Sequence, residues 1–199
     1  MKRFFLLLSL FFACAAAFAD GGACALLFET KKYVSFFDEP IEGKCLLASD
    51  ASGKVRWQTL APFVSAMIFD GADSAAFEFD NGKWKRVDMP SSRAVSEIMA
   101  GLKGVLSGEK VPDNLFSVSK NSGNEIVLTP KNPLMAKAIK SIKITGKPPK
   151  PEIVTIFDAS GDRTEMRIKK SSFGSADLTG AFDISNPGSF NCKSVFGKE

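Results

Sequence analysis

Residues 43–71 read GKCLLASDASGKVRWQTLAPFVSAMIFDG, and their punctuation decides the fold class. An apolar run, Cys45-Leu46-Leu47-Ala48, ends at the Ser52-Gly53 turn; Val55-Arg56-Trp57-Gln58-Thr59 follows as a compact strand. Pro62-Phe63 makes a corner, and the next strand stops at Asp70-Gly71. Short runs rich in β-branched and aromatic residues, each bounded by turn residues, are the signature of antiparallel sheet. Nothing in this stretch is a nucleophile with a base, a metal-ligand cluster or a phosphate loop. It is built to hold rather than to cut.

The same grammar continues downstream. Ala75–Asp88 predicts a hairpin around Asn81-Gly82, a dipeptide that accepts the positive φ angles of a two-residue turn. That register sets Phe79 opposite Trp84 and Phe77 opposite Arg86, a guanidinium among three aromatics. The other face pairs Asp80 with Lys83 and Glu78 with Lys85, and its opposite charges mark it as the solvent side. Further strands are predicted at Phe116–Ser119, Glu125–Thr129, Lys140–Thr145, Ile153–Asp158 and Thr164–Lys169. Asp158 and Asp162 bracket the Ser160-Gly161 turn, as turn chemistry favours.

One helix is predicted from Arg93 to Ser107. Val95, Ile98, Met99, Leu102, Val105 and Leu106 form a single stripe at helical spacing, Ser91 or Ser92 caps its start, and Gly108 ends it. A shorter helical turn falls near Leu134–Ala138. Roughly nine strands, about 4.8 Å apart and about 17 Å long, make a sheet face of about 700 Å². A helix of about 22 Å by 10 Å covers about a third of it. The sheet must curl on itself or leave an apolar concavity, and large uncovered apolar surfaces mark binding sites.

Residues 1–19 have the anatomy of a cleaved export signal: Lys2-Arg3, an apolar core from Phe4 to Phe12, and Ala17-Phe18-Ala19 before cleavage at Asp20. Phe11-Phe12-Ala13 before Cys14 is a poor context for lipidation, which would otherwise tether the chain to a membrane. Residues 20–199 then form one domain. Without Lys2 and Arg3 the chain carries 24 basic against 22 acidic residues, too even for a nucleic-acid partner.

The chain has no histidine. That removes Ser-His-Asp and Cys-His catalysis and every His-ligated metal. Ser107-x-x-Lys110 and Ser117-x-x-Lys120 occur at chance frequency, and neither sits within a predicted helix as that motif requires. No catalytic residue, metal or cofactor is expected. Cys24, Cys45 and Cys192 remain after signal removal; an oxidising compartment favours one disulfide and one leftover thiol, and spacing does not choose the pair.

From Phe28 onward the chain resembles the LolA-like family of periplasmic lipoprotein carriers, in a divergent branch. The matching residues are Phe28-Glu29-x-Lys31-Lys32, Gly43, Val55-Arg56-Trp57-Gln58 with Pro62-Phe63, Asp70-Gly71 and Lys83-Trp84. Ile98-Met99-x-x-Leu102, Leu106-x-Gly108, Phe116, Leu128-x-Pro130, Ile139-x-x-Ile142 and Gly161-Asp162-x-Thr164 continue the pattern. The resemblance implies an α+β, mostly β fold: an incomplete, half-open antiparallel β-barrel with a helical lid over an apolar cavity. It implies a monomeric periplasmic carrier, not an enzyme, that moves acylated cargo from an inner-membrane exporter to an outer-membrane receptor. The cargo is a lipoprotein; a glycolipid or other acylated lipid, or a role as membrane-tethered acceptor, are the alternatives. Trp57, Phe77, Phe79, Trp84, Ile98, Met99, Leu102 and Leu106 are the expected cavity lining, with Arg56 and Arg86 as polar cavity or lid candidates.

Overall fold

The computed structural model describes residues 23–70, 73–88, 114–121, 124–147, 150–174 and 176–196. Their architecture is one antiparallel sheet of 11 strands. The strands are β1 (Cys24–Tyr33), β2 (Ile41–Ser49), β3 (Val55–Ala61), β4 (Ser65–Asp70), β5 (Asp73–Asp80), β6 (Lys83–Val87), β7 (Phe116–Asn121), β8 (Glu125–Pro130), β9 (Ile139–Lys147), β10 (Lys150–Asp158) and β11 (Arg163–Phe173). Their spatial order is β6-β5-β4-β3-β2-β1-β11-β10-β9-β8-β7, so among the described residues β6 and β7 are the edge strands and the barrel is incomplete. The predicted strands are all present, with two more than counted from sequence. β1 is held from its first residue on both sides, Cys24–Leu27 pairing with both Ser49–Leu46 and Phe173–Lys170.

The hairpin register is as the Asn81-Gly82 turn dictates: Phe79 opposite Trp84, Phe77 opposite Arg86, Glu78 opposite Lys85 and Asp80 opposite Lys83. Both turn residues have positive φ, 51° and 77°. Helix among the described residues is limited to one turn, α1 (Pro133–Ala136), and a 3-10 turn at Pro187–Ser189. The predicted helix Arg93–Ser107 lies outside the described residues, so no lid is part of the architecture described.

Two apolar layers sandwich the sheet. The concave face carries one continuous core, from Val55, Trp57 and Met67 through Leu26 and Phe28 to Met166, Val154, Ile142 and Leu128. Leu115, Phe116 and Met135 close it from the β7–β8 side. On the convex face, Ala25, Leu46 and Ala48 are buried by Ala181, Phe190 and Val195, and Ile68, Ala75 and Phe77 by Phe182 and Ile184. Residues 176–196 therefore form a strap across the back of the sheet. No sequence pattern predicts it, because it contains neither strand alternation nor a helical stripe.

The cysteines depart from expectation. Cys24, Cys45 and Cys192 are all thiols, none of them in a disulfide. Cys24 and Cys45 share the concave core, but Cys45 faces Phe28 across the β1–β2 ladder. Four residues of strand thus separate the two cysteines, about 13 Å, whereas a disulfide needs Cα atoms within about 7 Å. Cys192 belongs to the strap and packs on the opposite face.

Candidate functional site

Along each strand every second residue points into the concavity, and on β1, β3, β4, β5, β6 and β11 these inward residues turn from apolar to polar toward the same end of the sheet. On β1, Cys24, Leu26 and Phe28 give way to Thr30 and Lys32; on β11, Met166 gives way to Thr164. On β3 and β4, Trp57 and Met67 give way to Thr59 and Ser65. On β5 and β6, Ala76 and Val87 give way to Glu78 and Lys85. The ladder aligns these polar residues into rungs: Thr59, Ser65, Glu78 and Lys85 lie on one line across four strands. Thr164 faces Lys32, and Thr30 faces Gly43.

Above that level a groove of about 690 Å³ opens, within the size range of small-molecule sites. The polar rung residues line it together with Ile41, Ala61, Pro62, Phe63, Val64 and Val87. Phe63 stands 74% exposed at its mouth, and Phe36 and Phe37 project from the β1–β2 loop at the same end of the sheet. Gly43 sets the groove's depth. A Cβ there would lie 2.8 Å from both the Ala61 carbonyl oxygen and Thr30 Oγ1, so only glycine lets β2 sit this close to the bulged end of β3, where the register shifts between Lys44 and Cys45.

Lys32 is the buried cation of the groove, 9% exposed. Burial pulls its pKa down, and the carboxylates of Asp158 and Asp162 oppose that pull. The Asp158 carboxylate is tied into the β10–β11 turn and that of Asp162 to the β1–β2 loop. Asp158 Oδ1 accepts from Ser160 N, Ser160 Oγ and Asp162 N, and Asp162 Oδ1 accepts from Ser35 N at 2.9 Å. On the far wall Lys85 pairs with Asp80 at 2.6 Å. Deeper in the sheet the Cys45 thiol is pushed up to about 12 by burial, which keeps it protonated and unreactive.

Several predicted site residues lie elsewhere. Trp57 does face the concavity, but it is 1% exposed and stacks on Phe28 with ring centroids 5.9 Å apart; it is core beneath the groove. Phe77 and Trp84 point to the convex face. Phe77 packs in a cluster with Phe182 and Ile184, and the Trp84 ring lies against Gly188, whose added Cβ would stand 3.2 Å from it. Phe79, in contact with Trp84 at 5.2 Å, and Arg86 border the groove at its β5–β6 rim. Ile98, Met99, Leu102 and Leu106 lie outside the described residues. The face carrying Glu78 and Lys85, expected toward solvent, is the one that turns into the groove. Opposite charges in register mark a hydrated face, and a groove is hydrated too.

Arg56 is neither cavity nor lid. It is fully buried on the convex side, where it fastens the strap. Its Nη1 donates to the Ala181 carbonyl at 3.0 Å, its Nη2 to the Pro187 carbonyl at 2.8 Å and its Nε to Gln58 Oε1 at 2.9 Å. The guanidinium lies 4.9 Å from the Phe190 ring centroid. Burial lowers its pKa to about 10, still charged at neutral pH. Cys192 Sγ donates to the same Gln58 oxygen at 3.2 Å. The groove residues missed from sequence, Thr30, Lys32, Gly43, Thr59, Ser65 and Thr164, carry one readable signal: on β1, β3, β4 and β11 the inward positions turn from apolar to polar toward the same end of the sheet.

The family model described as outer membrane lipoprotein carrier protein LolA matches residues 47–178. Among curated proteins no relative matches. The chain is similar to the solved structure of a LolA superfamily protein from Nitrosomonas europaea at 8% identity, over 86% of this chain and 94% of that one, with a TM-score of 0.45. It is also similar to an outer membrane lipoprotein-sorting protein domain from Vibrio parahaemolyticus, at 12% identity over 83% and 91% of the two chains, with a TM-score of 0.43.

Proposed function

Because the chain belongs to the LolA family of outer membrane lipoprotein carriers, whose members work in the periplasm, we propose that it is a non-enzymatic carrier that holds the acyl chains of a lipoprotein in the groove of its half-open barrel. It takes the cargo from an inner-membrane exporter and delivers it to an outer-membrane receptor. One observation carries this reading. A groove of about 690 Å³ opens at one end of the concave face, and Ile41, Ala61, Pro62, Phe63, Val64 and Val87 give it an apolar wall. Each methylene moved from water into such surroundings contributes about 0.8 kcal/mol, so even part of an acyl chain suffices for retention. Exposed Phe36, Phe37 and Phe63 at the same end give an incoming chain apolar footing before it is enclosed.

The test is retention of a lipopeptide. Purified protein mixed with a triacylated peptide is expected to co-elute with it at one-to-one stoichiometry in size exclusion, and to ignore the same peptide without its acyl chains. Equal recovery of both peptides, or of neither, would contradict the proposal. Steady hydrolysis of the acyl ester in place of retention would show an enzyme.

A further inference from the structure

Exposed apolar side chains are not scattered over this molecule. Among the described residues the exposed large hydrophobic side chains are Phe36, Phe37, Phe63, Phe79 and Val118. The four phenylalanines lie at the end of the sheet where the groove opens: two in the β1–β2 loop, one in the β3–β4 corner and one next to the last residue of β5. Only Val118 is elsewhere, within β7. The segments carrying the rings are fixed. Phe37 N donates to the Val34 carbonyl at 2.9 Å, Ser35 N donates to Asp162 Oδ1 at 2.9 Å, and Val34 is buried. The loop is thus pinned at its root, while the Phe36 and Phe37 rings, 4.7 Å apart, stand 76% and 54% exposed. Phe79 N donates to the Val64 carbonyl at 2.9 Å, which fastens the corner carrying Phe63 to β5. Apolar surface held out in water in this way marks a contact surface.

Size and charge choose the partner. A phenylalanine side chain offers about 200 Å², so Phe36, Phe37 and Phe63 at their observed exposures present about 400 Å². A stable protein–protein contact, a second copy included, buries about 800 Å² on each partner against a matched face. Three rings on two separate segments give half of that. A fluid bilayer surface needs no matched face, because each ring sinks independently to the boundary of headgroups and acyl chains. Asp38 and Glu39 follow Phe37 directly and are exposed, so this loop has no basic cluster with which to seek an anionic surface. The attraction is apolar.

We propose that this end of the sheet docks on the surface of a lipid bilayer, with Phe36, Phe37 and Phe63 inserted at the boundary of headgroups and acyl chains. The contact goes beyond the carrier reading, which needs a groove but no membrane surface. Phe63 also lines the groove, so docking makes the groove's apolar wall continuous with the bilayer interior, and an acyl chain enters or leaves without crossing water. Three rings form a weak, reversible anchor, since even a whole myristoyl chain binds a membrane only marginally.

Flotation of the full chain, free of cargo, with phosphatidylcholine vesicles at millimolar lipid tests this. Wild type is expected to float with the vesicles at low and at high salt alike, because apolar insertion is not screened. Phe36→Ser combined with Phe37→Ser should lower the partition coefficient about tenfold or more, and Val118→Ser, at the exposed apolar residue away from the groove, should leave it unchanged. Wild type that stays in the buffer overturns the proposal. So does partitioning that is lost at high salt, that requires added phosphatidylglycerol, that persists undiminished in the double variant or that falls equally in Val118→Ser. A wild-type dimer in analytical ultracentrifugation that dissociates in the double variant would assign the rings to a second copy and overturn it too. The wild-type arms decide even if the double variant fails to fold. Wild type that retains the triacylated peptide yet stays off the vesicles sinks the docking and leaves the carrier reading standing; wild type that floats but retains no peptide does the reverse.

Discussion

Arg56 and Trp57 are neighbours in one strand and serve opposite faces. Trp57 builds the floor under the groove, while Arg56 clamps the strap through two carbonyls and an aromatic ring. Arg56→Met should leave the Ala181 and Pro187 carbonyls unmatched, and is expected to cost about 2 kcal/mol in urea unfolding without changing acyl-chain affinity. A loss of affinity at full stability would instead place Arg56 in the binding path. Cys45 gives a pH-dependent counterpart. Burial pushes its thiol up from the ordinary 9.0 to about 12, so above pH 9 the folded chain keeps a proton that the unfolded chain releases. The stability this contributes is intact below pH 9 and is lost as pH rises toward 12. Cys45→Ala should therefore lose less stability than wild type between pH 9 and 12, as followed by circular dichroism; Arg56 titrates alike in both proteins and cancels from the comparison. Identical alkaline slopes would show that Cys45 does not hold its proton.

At the scale of elements, Gly43 and the β3–β4 corner define the groove. Gly43→Ala pushes a methyl group against a backbone oxygen at 2.8 Å, and overpacking of this kind is expected to cost about 1–3 kcal/mol, read as a lower urea midpoint. Phe63→Ser, at a side chain 74% exposed, should change stability by no more than about 0.5 kcal/mol and weaken lipopeptide retention; unchanged retention would remove Phe63 from the mouth. The hairpin around Asn81-Gly82 shows what was legible. Turn chemistry predicts its register residue for residue, because a two-residue turn leaves no freedom to slip. Which face turns inward was not legible from that hairpin. Phe77 and Trp84 look like cavity lining until residues 182–188, a hundred positions away, are seen to cover them. Alternation within a strand reports that two faces differ; only long-range packing decides which is concave.

For the whole molecule, the open sheet depends on its strap. The antiparallel, mostly β class was readable from turn residues every few positions, and the half-open barrel from the family resemblance. Residues 176–196 escaped notice because their order comes from Asx turns such as Asp183 Oδ1 accepting from Ser185 N and Asn186 N, and from docking onto Arg56 rather than from periodicity. A chain ending after Asp177 would bare Leu46, Ile68 and Phe77, and should lose on the order of 5 kcal/mol, observed as aggregation or loss of the cooperative unfolding transition. A truncated chain that unfolds like the parent would reduce the strap to decoration.

On this reading acyl chains lie in the groove on the concave side and nowhere else. A fatty acid with a photoactivatable diazirine at its terminal carbon, crosslinked to the protein and mapped by peptide mass spectrometry, reads out where the chain lies. Labels confined to groove-lining residues, within 61–64 and at Val87, are the predicted result. Labels on the strap around Phe190 and Val195, or labelling that never approaches one lipid per chain, would contradict it.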